Sequence, residues 1–533
     1  MGKLTAEQLC GTPDKLKSDR GTWEDHWREL AFYFLTDRKE INEEPAKGNK
    51  RNQNLLDNTG MQSNELLAAG LQSMLTNPNL LWHELTTGDE QLDDSDRIRE
   101  WLQRQALKIH GVLSGSNFNT EVHQLYKDLC TFGTGAMCIL EDEKNIVRFS
   151  TKHIKDIFVE ENNLGYVDRL FREFEWDASN IVAEFGEASV TAKVLKAYKD
   201  GSTEKFKIIH GVYPKDYVSG GMDEVLPFVS QYALKDEKHF LREGGFREFP
   251  YVVPRWTKTA MEVYGRSPAM NALPDMKTLN EMTKTMLVAA QKMADPPLQM
   301  PDDGFIMPII TRPGGLNFRR PGNEGEIKPL FPNISIDFGF QAMEERRQRV
   351  RQSFFVDQLQ MQQGPQKTAT EVIQRTDENN RLLGPVLGRM QSEFLSPLID
   401  RVYEILERRG MIDEAPANMP DKISVRYSSM IAKAQRINET QNIMRTMEAA
   451  SPFIQLDPNV ADLFNGDESV RVVARALGYP QRAIRSEKEI QQIRDARAQA
   501  QQEMLKQQQA AQQADNMSKM ASVSGQNGQG GAV

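Results

Sequence analysis

The side chains able to do chemistry are thinly spread along these 533 residues. Seven histidines (His26, His83, His110, His123, His153, His210 and His239) never stand four apart and never neighbour a cysteine. A zinc site needs imidazole or thiolate ligands at short fixed spacings, so no metal site is expected. Cys10, Cys130 and Cys138 are too few and too scattered for a disulfide framework or a CxxC pair, which suits a reducing compartment. Cys130 with a distant histidine, or the carboxylates from Glu141 to Glu143, would be the raw material of an enzyme, but no motif converges on them. A packed small hydrophobe is the simpler reading of Cys130. There is no G-x-x-x-x-G-K-S/T run, and Gly133-Thr134-Gly135 lacks the third glycine and the βαβ context of a dinucleotide fingerprint. Any step driven by nucleotide hydrolysis therefore belongs to another protein. Asp93, Asp94 and Asp96 resemble a cation loop without its glycine and glutamate, and read as a helix cap. The expectation is a protein with no catalytic residues and no cofactor.

Charge is the remaining chemistry. The densest run, Glu344-Glu345-Arg346-Arg347-Gln348-Arg349-Val350-Arg351, reads as a solvated helix face with pairs such as Glu345 to Arg349 four apart. Its functional alternative is pairing between subunits or a weakly basic wall facing nucleic acid. The net charge of -9 argues against a tight grip on nucleic acid, since such affinity comes from neutralising phosphates.

The elements that must position these groups follow from periodicity. With 39% hydrophobic and 26% charged residues the composition is that of a soluble globular protein, and its length calls for two or more domains. No apolar run is long enough for a membrane span, and the first twenty residues lack the apolar core of a signal peptide. Residues 4 to 36 form one helix with a stripe at Leu16, Trp23, Trp27, Leu30 and Phe34. Helices are expected over Thr59 to Leu75, with Met61, Leu66, Leu67, Gly70, Leu71 and Met74 buried, and over Asp93 to Leu113 and Asn119 to Leu129. From Thr131 to Trp256 short β-branched and aromatic runs alternate with turns, which predicts an antiparallel sheet. The fold class is α+β, predominantly α-helical.

Everything is organised around Met270 to Gly410. A helix over Met270 to Ala294, with Pro274 in its first turn, gives way to a proline-rich excursion from Asp295 to Asp337 carrying strands at Ile306 to Thr311 and Leu316 to Arg319. A second helix spans Phe338 to Gln360. Gln362-Gln363-Gly364-Pro365 breaks it, and Thr368-Ala369-Thr370-Glu371 caps a third helix running to Arg409. Gly384-Pro385 kinks that helix, Pro397 adds a bend, and Gly410 ends it. A strand at Ile423 to Tyr427 precedes helices over Met430 to Ala449, Asn459 to Phe464 and Glu468 to Leu477. A Gln/Ala-rich helix follows from Ser486, with disorder expected from about Met517.

This order resembles the portal, or head-to-tail connector, proteins of short-tailed bacteriophages (podoviruses) over nearly the whole chain. The residues carrying the resemblance are Asn58-Thr59-Gly60 with Leu66 to Leu75, Val263-Tyr264-Gly265-Arg266-Ser267-Pro268, the two helices flanking the proline-rich excursion, Gln363-Gly364-Pro365 with Thr368 to Val372, and Gly384-Pro385. The resemblance implies a ring, usually of twelve subunits, at one capsid vertex of the virion, assembled in the host cytoplasm, with double-stranded DNA passing through for packaging, retention and ejection. It implies docking of the terminase packaging motor and then of tail adaptor proteins, contact with capsid and scaffolding proteins and with internal core proteins, and no membrane. Residues 1 to 269 would be the wing, 270 to 294 and 338 to 360 the stem, 295 to 337 the clip, 355 to 367 the channel loop, 368 to 410 the long kinked wing helix, 411 to 485 the crown and 486 to 533 a tail. The channel loop would present Gln358, Gln360, Gln362, Gln363, Gly364, Pro365 and Lys367. The stem's charged face would carry Lys277, Lys284, Lys292, Glu344, Glu345, Arg346, Arg347, Arg349 and Arg351. Charges over 271 to 297 cancel, and 338 to 367 carries +2. The alternative is a virion structural protein without a channel, such as a tail adaptor.

Overall fold

The computed structural model describes residues 3–38, 41, 54–93, 95–215, 226–300, 305–306, 308–311, 316–318, 322, 327–329, 337–359, 383–416, 424–427, 430–476, 485 and 487–526. They fall into two compact units, one of Met1–Thr86, Arg104–Glu414 and Lys422–Ile431, the other of Thr87–Gln103, Ala415–Asp421 and Ala432–Val533. The fold is α+β and mostly helical.

The first unit opens on the helix Ala6–Phe34, started by a capping box in which the Thr5 hydroxyl accepts from the Gln8 amide and the Gln8 side chain accepts from the Thr5 amide. Its inner face lies on a five-stranded antiparallel meander of Ile157–Glu161, Val167–Asp177, Lys205–Pro214, Phe228–Leu234 and His239–Phe246. Leu9 and Cys10 pack on one side of the sheet with Phe171, Ile209 and Tyr213. The short helices Ala178–Phe185 and Ala192–Lys199 pack on the other with Phe174, Ile208 and Leu241. Adjacent strand residues point to opposite faces, so Ile208 and Ile209 serve two different cores and both are fully buried. Arg20 is buried too, its guanidinium 3.9 Å over the Phe158 ring and bonded to Glu24 and to the carbonyls of Ile154, Lys155 and Ile157.

The helix Thr59–Leu75 has the predicted bounds, but its buried face is Ser63, Asn64, Leu67, Ala68, Leu71 and Leu75. Leu66 is exposed, and Met61 and Met74 are only half-buried. The Asn64 side-chain nitrogen donates to the Phe34 carbonyl at 3.4 Å, while its oxygen is buried without a partner among the described residues. A second, three-stranded sheet joins Ile146–Lys152, Ala136–Asp142 and Tyr251–Val252. The run to Trp256 does not continue as a ladder; it goes on through single bridges, Thr134 with Arg255 and Thr257 with Arg266.

Sequence patterning passed over the strand His83–Thr86, which pairs antiparallel with Ser424–Tyr427. Four residues are too few to show a period. His83 is fully buried with its ring 6.2 Å from that of His110. Burial, and then the nearby His110, push the His83 imidazole from its ordinary 6.5 down to about 3. A group depressed in the fold contributes stability that is whole above pH 6.5 and is lost as pH falls towards 3. His83→Phe should therefore flatten the acid limb of a thermal-midpoint against pH profile in that window and leave the profile above pH 7 nearly unchanged.

In the second unit Asp93 closes a turn, its Oδ1 accepting from the Thr87 amide and hydroxyl at 2.9 and 2.8 Å. The helices Met430–Leu456, Gly466–Ala476 and Glu487–Gln526 follow, with Arg494 on Asp467 at 2.7 Å. The last helix runs nine residues beyond Met517, where order was expected to stop. Its alanines, glutamines and methionines are strong helix formers, and propensity carries a segment with no core to fill.

Candidate functional site

The site grows from the turn Val263 to Pro268. Tyr264 is buried between Trp23 and Trp27, ring centroids 5.9 and 5.0 Å away. Gly265 lies against Gly133 so closely that a Cβ on either would stand 2.3 Å from the other's carbonyl oxygen. Its amide donates to the Thr134 hydroxyl at 2.8 Å. Arg266 lies over the Trp23 ring at 4.8 Å and pairs with Glu262. The Ser267 hydroxyl donates to the Thr131 carbonyl at 2.7 Å and accepts from the Met270 amide at 3.1 Å, capping the helix Pro268–Ala294. Tyr264, Gly265, Arg266 and Ser267 thus fix where the first long helix starts.

The helix begins two residues earlier than expected, so Pro274 sits inside it rather than in its first turn. The missing N–H leaves the Met270 carbonyl without its helical donor. The second long helix, Asp337–Ser353, packs beside it. Gly339 permits the approach, since a Cβ there would stand 2.6 Å from the Met286 sulfur. Arg346 donates to Asp275 of the first helix at 2.5 Å, and Arg347 reaches buried Asp57 at 3.0 Å. Asp57 also accepts from the Thr59 amide at 2.9 Å, so one carboxylate starts one helix and fastens another. Arg349 pairs with Glu345 at 2.5 Å, the four-apart pair read from the sequence, and Arg351 with Glu344 at 3.3 Å.

The second helix stops at Ser353, seven residues short of the expected end. Phe354 is fully buried, 5.4 Å from the Phe34 ring, and Phe355 takes a left-handed φ of 56° that turns the backbone out of the helix. A single turn, Val356–Leu359, follows and seats Leu359 against Gly70.

Where the chain is described again, residues 383–390 are helical, Gln391–Leu395 form a π-turn and Ser396–Arg408 resume the α-helix. Gly410, at φ 67°, lies just past its end, as expected. Within the π-turn Glu393 accepts from the Arg255 amide at 3.0 Å, from its Nε at 3.1 Å and from a terminal nitrogen at 2.7 Å. The other donors of Arg255 reach Glu161, the Val263 carbonyl and the Gly165 carbonyl. All five guanidinium donors are satisfied in a residue 1% exposed, which is the condition for tolerating a buried charge.

A family profile described as "Bacteriophage head to tail connecting protein" matches residues 6–484. The chain belongs to that family. Two named relatives match this connecting protein along nearly all of its length. The "Probable portal protein" of Bordetella phage BPP-1 is 31% identical over 528 residues, 96% of this chain and 94% of the relative. The "Portal protein" of Salmonella phage epsilon15 is 30% identical over 545 residues, 97% and 96% of the two chains. A chain in the solved virion of a native gene transfer agent particle is 11% identical over 79% of this chain and 95% of its own, with a TM-score of 0.36, a likeness too loose to carry weight.

The connecting protein is a structural component of the bacteriophage virion, and its would-be catalytic groups have other work. Cys10, Cys130 and Cys138 are buried, and burial pushes the Cys130 thiol well above its ordinary value, the opposite of an activated nucleophile. Glu141 is paired with Arg408 at 2.8 Å. His123 bridges Gln72 and Glu65, and His210 bridges Tyr251 and Ser230. Of the expected stem charges, Lys277 pairs with Glu29 at 2.6 Å, while Lys284 and Lys292 are exposed with no ion pair among the described residues. Gln358 lies half-buried in the turn after Phe355. Gln360, Gln362, Gln363, Gly364, Pro365 and Lys367 lie outside the described residues, as do the predicted helix start at Thr368 and the chain to residue 382. Gly384 and Pro385 sit in the first turn of the described helix, so the bend expected there falls at its border. In the excursion, Leu298–Gln299 pairs with Lys328–Pro329, and the Ile306 amide donates to the Phe318 carbonyl at 3.0 Å. Arg255, Glu161, Glu393 and Phe354 were not found from the sequence, and Phe355 entered only as the first residue of the loop that the resemblance implied. A lone arginine carries no spacing, and a break made by two phenylalanines has no glycine or proline to announce it.

Proposed function

We propose that this chain is the portal of a tailed phage: a ring, of twelve copies, at one capsid vertex, through which double-stranded DNA is packaged, retained and ejected. The terminase motor and then the tail adaptor dock on its outer end, and capsid, scaffolding and internal core proteins surround it. In this reading the two long helices are the stem around the channel, residues 295–337 the clip, residues 355–367 the channel loop, residues 1–269 with the kinked helix the wing, and residues 411–485 the crown. Near-full-length similarity to two proteins named as portals favours it over a tail adaptor.

The observation that carries the reading is the state of the stem arginines. Arg346, Arg347, Arg349 and Arg351 each face a carboxylate of the same chain. Free arginines would hold phosphates, each adding to a salt-dependent affinity that brakes a sliding duplex. Arginines answered within their own subunit leave Lys284 and Lys292 as the stem cations with no ion pair among the described residues, a weak hold on a passing duplex. Negative-stain microscopy of the purified protein should show rings with a duplex-wide central hole. Monomers or solid particles at high concentration would sink the proposal.

A second expectation concerns the brake itself. Replacing Asp275, Glu344 and Glu345 with their amides removes the partners of Arg346, Arg351 and Arg349, while Arg347 loses Glu344 but keeps Asp57. Filter binding of duplex DNA should tighten at low salt, with the slope of log affinity against log salt steeper by up to about 3. An unchanged slope would mean that these arginines do not face DNA.

A further inference from the structure

The π-turn at Gln391–Leu395 holds one residue more than an α-helix would, its closing bond running from the Ser396 amide to the Gln391 carbonyl. That extra residue is written into the apolar pattern. Leu383, Val386, Leu387 and Met390 are buried on one side of it, and Leu398, Ile399, Val402 and Ile405 on the other. At about 100° per residue, an unbroken α-helix would point these two sets roughly 100° apart, a slip of one residue. The π-turn absorbs the slip and lets both sets face one core. It is also held: Glu393, inside the turn, is bound by Arg255 and by Arg389 at 3.1 Å. The helix beyond is fixed independently, through Arg401 and Arg408 on Glu248.

We infer that the π-turn is a register reserve latched by Arg255 on Glu393. With the latch closed, the spare residue stays at 391–395. With it open, the spare residue can travel towards Leu383, moving residues 383–390 by up to one residue, about 1.5 Å along the axis, against a stationary Ser396–Arg408 while the helix stays closed. Arg255 is then a positioning residue for the chain that enters at Leu383. The inference does not depend on a ring or on DNA.

Hydrogen–deuterium exchange on the full-length protein tests it, reading peptides from 383–395 and 398–408 separately. Glu393→Gln should exchange at least about tenfold faster over 383–395 while 398–408 stays within about twofold of the parent. Deleting exposed Ser392 removes the spare residue and leaves a continuous α-helix with both apolar sets aligned. The deletion should therefore restore slow exchange in the Glu393→Gln background, and alone should exchange more slowly than the parent over 383–395. Equal acceleration across 383–408 would overturn the inference, because the pair would then be a general brace. A double variant as fast as Glu393→Gln would overturn it also. Should Glu393→Gln not fold, the deletion against the parent decides: no slowing over 383–395 ends the idea.

Discussion

Arg255→Met should cost roughly 3–5 kcal/mol, the range for removing one partner of a buried ion pair, and should be the most damaging single change in the first unit. The carboxylates of Glu393 and Glu161 are only 10% and 16% exposed, and each would keep one cation, Arg389 and Lys258, while losing the guanidinium that joins them. The Gly165 and Val263 carbonyls would lose their donors in the same stroke. The measurement is the thermal midpoint, followed by circular dichroism and by near-ultraviolet fluorescence of the neighbouring Trp256. Arg255→Met combined with Glu393→Leu should recover part of the loss, because it removes a buried carboxylate that has lost both of its Arg255 guanidinium donors. If the double variant is no better than Arg255→Met, the Arg255–Glu393 pair is not where the stability lies.

The second large effect belongs to Gly133→Ala. Gly133 closes the helix Phe118–Phe132 at φ 78°, and a Cβ there would meet the Gly265 carbonyl oxygen at 2.3 Å and its carbon at 2.6 Å. The left-handed conformation costs an alanine about 1–2 kcal/mol, and overpacking against backbone adds about 1–3. Gly410→Ala is the control. Its φ is 67°, the Met411 amide bonds back to the Leu406 carbonyl as in a left-handed helix end, and nothing lies within 4 Å of the added carbon, so it should show the conformational part alone. Thermal midpoints of the two variants separate the terms: Gly133→Ala must fall clearly further, and equal losses would show that the turn can move away from Gly265.

Much of this was legible. Leu67 and Leu71 against Asn77-Pro78 are enough to end the helix Thr59–Leu75 where it ends, because periodicity and a proline stop are local signals. The Tyr264 to Pro268 turn was visible as a motif, although only packing reveals that Tyr264 sits between two tryptophans. The rest was hidden by its range. Arg255 and Glu393 are 138 residues apart, and nothing near either one says which charge it will meet. Phe354 and Phe355 look like further turns of a helix until Phe34 and Trp256 are in place on the other side. The one-residue slip between Leu383 and Ile405 was present in the pattern all along. It was masked because Gly384-Pro385 and Pro397 offered a more familiar reason for a bend.

The Arg255 cluster also sets an order of events during synthesis. Glu161 and Gly165 leave the ribosome before Arg255, so the guanidinium can be half answered as soon as it emerges. Glu393 follows 138 residues later, roughly 7 to 28 s at translation rates of about 5–20 residues per second. Throughout that interval the sheet and the turn before Pro268 can settle around a partly neutralised arginine. The arrival of Glu393 then closes a knot tied in two stages, with the earlier-made half serving as template for the later one.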